Sequence, residues 1–209
     1  MIQRRPLTLP LLTFLVFAVL AGTIFGQEDQ VEVSEVDFRH ESLAGATDDW
    51  LEIAIELTGK GNAAGSSANP RFSDDIRVSL GLGFELAGRG SRQFRFFQAE
   101  VVVVTLEQGE KRIVFFYVPP EVVARDRLPK EPFAYLVELS VGGRPLTMRR
   151  ANVSSNLGDA TRVGNFKGRL TAEAVGTRGV LLPIYETPFF IARDKLRNSP
   201  AYRRLPLDR

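Results

Sequence analysis

Phe94-Arg95-Phe96-Phe97-Gln98-Ala99-Glu100-Val101-Val102-Val103-Val104-Thr105-Leu106, then Glu107-Gln108-Gly109-Glu110-Lys111-Arg112, then Ile113-Val114-Phe115-Phe116-Tyr117-Val118 is the stretch on which the reading of this chain turns. Two runs rich in β-branched and aromatic residues flank a short polar turn containing Gly109, the pattern of a β-hairpin. Neither run alternates through its middle. Val101 to Leu106 is apolar on both faces apart from Thr105, and so is Ile113 to Val118. A strand with one face in water alternates, so both faces of the hairpin are expected to be covered. Val102, Val104, Val114 and Phe116 fall on one face, and Val101, Val103, Phe115 and Tyr117 on the other. One set belongs to a core, and the other needs a cover from elsewhere in the chain.

Outward from this stretch, strand patterns recur between turn signals. Val31-Glu32-Val33 and Val36-Asp37-Phe38 alternate with a change of phase at Ser34-Glu35, which predicts a bulge or a strand that switches sheets. Leu51, Ile53, Ile55 and Leu57 face inward, with Glu52, Glu56 and Thr58 outward. Gly59 to Pro70 is small and polar and reads as a flexible loop. Ile76, Val78, Leu80, Leu82, Phe84 and Leu86 form the cleanest alternation, with Gly81 and Gly83 on the opposite face. Two glycines on one strand face imply either another segment approaching closely or a bend at a sandwich corner. Pro119-Pro120 ends the next strand, and Glu121 to Arg127 predicts one helical turn. Phe133, Tyr135, Val137, Leu139 and Val141 alternate, and Gly142-Gly143 turns the chain into Leu146 to Arg150. The spacing predicts an all-β sandwich of about seven strands.

Beyond residue 150 the pattern changes. Asn152 to Gly179 is polar with scattered glycines, and Val180 to Tyr185 and Pro188 to Ile191 are apolar islands separated by prolines. Such islands make no core of their own, so Leu181, Ile184, Tyr185, Phe189 and Phe190 are expected to dock on the sandwich as the hairpin's cover. Ser199-Pro200 predicts a short terminal helix running to Arg204. Charge divides at the same place: residues 27–148 carry a balance of −7 and residues 149–209 a balance of +7. A basic tail beside an acidic body points to a tail that lies on the body, on a partner or on an anionic surface.

Residues 1–26 stand apart. Arg4 and Arg5, which equal the whole formal net charge of +2, precede an apolar run from Leu7 to Phe25 and a polar Gln27-Glu28-Asp29-Gln30. This is the layout of a secretory signal cleaved near Gln27, with an uncleaved anchor as the alternative because Leu7–Phe25 is long enough to span a bilayer. The expected organisation is a signal or anchor at 1–26, a sandwich at 27–150 and a basic extension at 151–209. Export places the protein in the periplasm or on the outer surface, and membrane contact is expected only through an uncleaved N-terminal segment.

The residues suggest little chemistry. The chain has no cysteine, which excludes disulfides and thiol nucleophiles, and its single histidine, His40, reads as a surface residue. Asp48-Asp49 and Asp74-Asp75 read as solvated loop pairs just before strands, without calcium-loop spacing. No phosphate cradle is present, since Gly81-Leu82-Gly83 lies within a strand. Nucleic acid is not expected as a partner of an exported chain, and no cofactor or metal is expected. Asn152-Val153-Ser154 matches a glycosylation sequon and reads as a chance match. Trp50 lies on the outward face with Glu52 and Glu56, where it sits under the tail, in an interface or against a strand end. A hydrolase would have to use carboxylates such as Asp74, Asp75 or Glu100, converging in a cleft with one in an apolar setting.

Phe133-Ala-Tyr135-Leu-Val137 is similar to the immunoglobulin strand that carries the tyrosine corner, with Val137 where a disulfide cysteine would stand. A broader resemblance rests on Trp50-Leu-Glu-Ile-Ala-Ile, Asp75-Ile-Arg-Val-Ser-Leu, Val104-Thr-Leu-Glu-Gln-Gly and Val114-Phe-Phe-Tyr-Val-Pro-Pro-Glu-Val. It continues through Arg125-Asp-Arg-Leu, Tyr135-Leu-Val-Glu-Leu-Ser-Val-Gly-Gly and a stretch around Phe166-Lys167. Over roughly Val31 to Phe190 the chain resembles small exported immunoglobulin-like proteins of Verrucomicrobia encoded among type IV pilus-like genes. That resemblance implies an immunoglobulin-like sandwich and a non-enzymatic envelope protein tied to pilus assembly or surface display. Its partner would be a protein of the envelope, such as a pilus assembly component. The residues expected at an interaction surface are Trp50, Gly81, Gly83, Val102, Val104, Val114, Phe116, Tyr185, Phe189 and Phe190.

Overall fold

The computed structural model describes residues 29–43, 49–61, 69–87 and 92–204. Residues 1–26, where a signal or anchor is expected, and most of the Gly59–Pro70 loop lie outside the described residues. Among the described residues, no helix is long and apolar enough to cross a membrane.

Seven strands build two antiparallel sheets: β1 (Val31–Ser42), β2 (Asp49–Gly59), β3 (Phe72–Leu86), β4 (Gln93–Glu107), β5 (Lys111–Val118), β6 (Ala134–Val141) and the short β7 (Arg144–Pro145). The first sheet runs β1-β2-β5 and the second β7-β6-β3-β4. This is an immunoglobulin-like order, with the fourth strand paired to the third rather than to the fifth. Helix α1 (Pro120–Asp126) links β5 to β6, with Pro120 in its first turn as its sequence suggests. The inward residues of β2 and β3 are sealed: Leu51, Ile53, Ile55, Leu57, Ile76, Val78, Leu80, Leu82 and Phe84. The phase change at Ser34-Glu35 is a bulge, where the β1–β2 register shifts between Val33 and Glu35.

The stretch from Phe94 to Val118 is not a hairpin. Strand β4 pairs with β3 from Leu86↔Gln93 to Phe72↔Glu107, and β5 pairs with β2 from Leu51↔Val118 to Thr58↔Lys111, in opposite sheets. The Gly109 turn is a corner between sheets. Its backbone is tied to neighbouring segments rather than to a hairpin partner: Gly109 N–H donates to Gly59 O at 2.9 Å, Gln108 N–H to Arg71 O at 2.7 Å, and Gly59 N–H to Glu110 O at 3.0 Å. The strands therefore face each other across the core, which changes the residue sets. Val101 and Val103 meet Val114 and Phe116 in the core, while Val102, Phe115 and Tyr117 point outward. Gly59 is required at this corner, because a Cβ there would lie 2.1 Å from the Glu107 carbonyl oxygen. Gly59→Ala is expected to lower stability by about 2–4 kcal/mol through backbone displacement. A denaturation midpoint within error of wild type would contradict this.

The remaining chain forms a strap, and it covers more than expected. Helix α2 (Ala160–Glu173) is followed by β8 (Leu182–Pro183), α3 (Arg193–Asn198) and β9 (Tyr202–Arg203). Strand β8 pairs with β5 and extends the first sheet, and β9 pairs with β4 and extends the second. The polar stretch Asn152–Gly179 thus contains a helix. Asp159 caps it by accepting from Arg162 N–H at 2.8 Å, and Phe166 and Leu170 are its buried stripe. The C-terminus also departs from expectation. The last helix ends at Asn198, and the residues after Pro200 form β9, anchored by Val104 N–H to Ala201 O at 2.8 Å. The strand expected at Leu146–Arg150 does not form; the pairing with β6 is made just before it, by Arg144–Pro145. The Gly142-Gly143 turn before it has both residues at positive φ, the conformation a two-residue hairpin requires.

Candidate functional site

The outer face of the first sheet carries the least ordinary chemistry of the molecule. Trp50, Glu52 and Ala54 of β2 and Ile113, Phe115 and Tyr117 of β5 alternate away from the core, and the strap segment from Ile184 to Asn198 lies over them. Phe189 stacks on Tyr117 with ring centroids 4.6 Å apart, and Trp50 meets both rings edge-on, at 6.3 and 5.6 Å. Beneath this aromatic lid lies Glu52, with no exposed surface. Its Oε1 accepts from Arg39 Nε at 2.5 Å, and its Oε2 accepts from the Tyr117 hydroxyl at 2.6 Å and from Lys195 Nζ at 2.5 Å. Lys195, only 3% exposed, also lies 3.9 Å from Glu41 Oε2 and 5.0 Å above the Phe115 ring. Two cations and a phenol thus converge on one carboxylate, which supplies the compensation that a buried charge needs.

All four tyrosines have phenols held above their ordinary range. Burial is the main cause at Tyr117, Tyr135, Tyr185 and Tyr202, and the Glu52 carboxylate adds to it at Tyr117. A phenol raised on folding contributes stability that is complete below its unfolded value of about 10 and is lost as pH rises through the folded value. Ultraviolet titration is expected to show less tyrosinate in the native protein than in the unfolded chain at pH about 10, with Tyr117 and Tyr202 ionising last. Four independent titrations at the ordinary value would contradict it.

The second sheet has its own cover. A Cβ at Gly81 would meet Leu170 Cδ1 at 2.3 Å, and one at Gly83 would meet Phe166 Cε2 at 2.9 Å. The two glycines therefore mark close approach of α2, which packs Phe166 and Leu170 against Phe96, Ala134 and Leu136. Basic residues of the strap meet the acidic body directly: Lys167 pairs with Glu138 at 2.5 Å, Lys195 with Glu52, and Arg203 with Asp75.

The residues expected at an interaction surface are thus mostly engaged within the chain. Val114 and Phe116 are in the sandwich core, Gly81 and Gly83 lie under α2, and Val102 is buried beside β9. Trp50 and Phe189 belong to the aromatic lid, and Tyr185 packs on Tyr202 at 5.5 Å. Val104 and Phe190 remain exposed. Asp74 and Asp75 lie inside β3 rather than before it; Asp75 has a left-handed backbone at φ +53° and pairs with Arg203, and Glu100 pairs with Arg77 on the neighbouring strand. Asn152 is buried and donates Nδ2–H to Val137 O at 3.0 Å, which closes the sequon to modification in the folded protein. His40 is exposed, and among the described residues no group of three potential ligands could hold a metal ion.

Sequence reasoning missed Glu52, Lys195 and Tyr117 as a group. One signal was present: Glu52 stands between Trp50 and Ala54 on its strand face, and a carboxylate flanked by apolar residues marks a covered face.

No family model matches the sequence, and no curated protein matches it. A crystal structure of a protein from the verrucomicrobial organism Akkermansia muciniphila is similar in fold. Its TM-score is 0.63 at 16% identity, covering 84% of this chain and 94% of that one. The shared architecture thus extends beyond the sandwich into the strap.

Proposed function

We propose that this chain is a non-enzymatic structural or interaction module of an exported envelope assembly, with pilus-like assembly or surface display as its setting. The observation that carries the reading is the outer surface of the strap. Phe190, Ile191 and Leu196 are exposed by 39%, 83% and 44% within one short stretch, while the apolar islands around them are buried. Large apolar side chains clustered in water mark a contact face. The secretory layout of residues 1–26 and the resemblance to verrucomicrobial pilus-linked proteins support the setting.

A photo-activated cross-linker at Ile191, used in cells, is expected to give an adduct with an envelope protein that disappears when Leu196→Glu is added. Absence of any adduct would reject the contact face. Export is checked separately by N-terminal sequencing of the envelope fraction, where a start near Gln27 is expected; retention of Arg4 and Arg5 would show an anchor instead.

A further inference from the structure

We propose that Lys195 and Glu52 are joined in the mature protein by an intramolecular amide bond that the folded chain forms by itself. The groups needed for such a bond are gathered at one place. The amine is 2.5 Å from the carboxylate, and both side chains are sealed from solvent between the first sheet and the strap. Two donors address the carboxylate from its two oxygens: Arg39 Nε on Oε1 and the Tyr117 hydroxyl on Oε2. Donors in these positions stabilise the negative charge that develops when a nucleophile adds to the acyl carbon. Glu41, a second carboxylate at 3.9 Å from Lys195 Nζ, lies just beyond direct hydrogen-bond distance and would take a proton from the ammonium after a small side-chain shift or through one water. Phe115, Trp50 and Phe189 keep the surroundings apolar.

The step balances without any other reagent. Glu41 accepts one proton from the Lys195 ammonium. The free amine adds to the Glu52 Cδ, forming the new C–N bond, and the charge on Oε1 is held by Arg39. The bond from Cδ to Oε2 then breaks. Oε2 leaves as water with two protons, one returned by Glu41 and one from the attacking nitrogen, whose third hydrogen remains on the amide. No atom is oxidised or reduced. Arg39 and Glu41 are partly exposed and form the side of the site from which water departs.

Two physical terms favour the product. Groups fixed in contact react as if at about 10⁵–10⁸ M, which offsets the cost of making an amide in water. The product also removes two charges from a buried place, where ion pairs carry a desolvation penalty. The bond would tie α3 to β2 across 143 residues of chain, a cross-link in a protein that has no cysteine to form a disulfide.

Intact-mass measurement of the folded full chain tests this. The wild type is expected to be lighter by one water than its observed N-terminus requires, and proteolysis is expected to release a joined peptide containing both Glu52 and Lys195. Lys195→Arg keeps a cation opposite Glu52 but has no primary amine, so it is expected to fold with the unshifted mass. In a time course after refolding, Glu41→Gln is expected to form the bond about a hundredfold more slowly while its circular-dichroism spectrum stays native. A folded wild type with the full mass of its sequence and no joined peptide overturns the proposal. The same loss of water in folded Lys195→Arg also overturns it, because the loss would then arise elsewhere.

Discussion

Truncation after Gly158 is expected to leave a protein that aggregates or melts far below the full chain. The cut removes the covers of both sheets at once. On the second sheet, Phe96, Ala134 and Leu136 lose Phe166 and Leu170, and Gly81 and Gly83 leave bare backbone where α2 had packed. On the first, Phe115 and Tyr117 lose Ile184 and Phe189, and the core loses Leu181. At roughly 1.5–3 kcal/mol for each large apolar side chain, these five anchors represent about 7–15 kcal/mol, comparable to the whole stability of an ordinary domain. The cut also removes β8 and β9, so β4 and β5 become bare edges open to pairing with other chains. Paired melting curves with light scattering decide the matter. An unchanged midpoint and a soluble truncated body would mean that the strap is dispensable to the fold and serves only a partner.

Lys195→Met is expected to be the most damaging single substitution in the strap. Measured against the freshly refolded chain, in which Lys195 and Glu52 are still an ion pair, it removes one of the two cations from a carboxylate with no solvent access, and breaking a buried pair from one side costs about 3–5 kcal/mol. Arg39 stays in place, so the lower end applies, about 3 kcal/mol, or a fall in midpoint of about 6–12 °C for a chain of this size. Adding Glu52→Gln to Lys195→Met is expected to recover part of the loss, because the stranded charge is then gone. If the double variant is as unstable as the sum of both single variants, charge compensation is not what Lys195 supplies.

The sandwich was legible because its strands alternate so regularly. The β3 and β2 patterns placed their core residues, and the proline and glycine pairs placed α1 and the β6–β7 turn. The corner at Gly109 was not legible, since the same short glycine turn serves a hairpin or a change of sheet. What decides is the longer register that β3 offers β4 and β2 offers β5, which no local pattern contains. Helix α2 was hidden by Gly164 and Gly168, which lower helix propensity and sit where a Cβ would meet nothing. Its cap Asp159 and the spacing of Val163, Phe166, Leu170 and Ala174 were the available signals. The Glu52 cluster was hard to read for a simpler reason: its members are separated by most of the chain, Glu52 reads as an outward residue of its strand, Lys195 as one charge of a basic tail, and Tyr117 as part of an apolar face awaiting a cover.

The position of β8 and β9 after all the sandwich strands has a consequence for timing. A polypeptide is made from its N-terminus, and early domains fold as they emerge. Here the sandwich strands are complete by Pro145, yet the residues that close the two sheet edges are Leu182-Pro183 and Tyr202-Arg203. A growing chain therefore carries these two edges unsealed until β8 and β9 have emerged. During that interval any neighbouring strand can compete for the edges of β5 and β4.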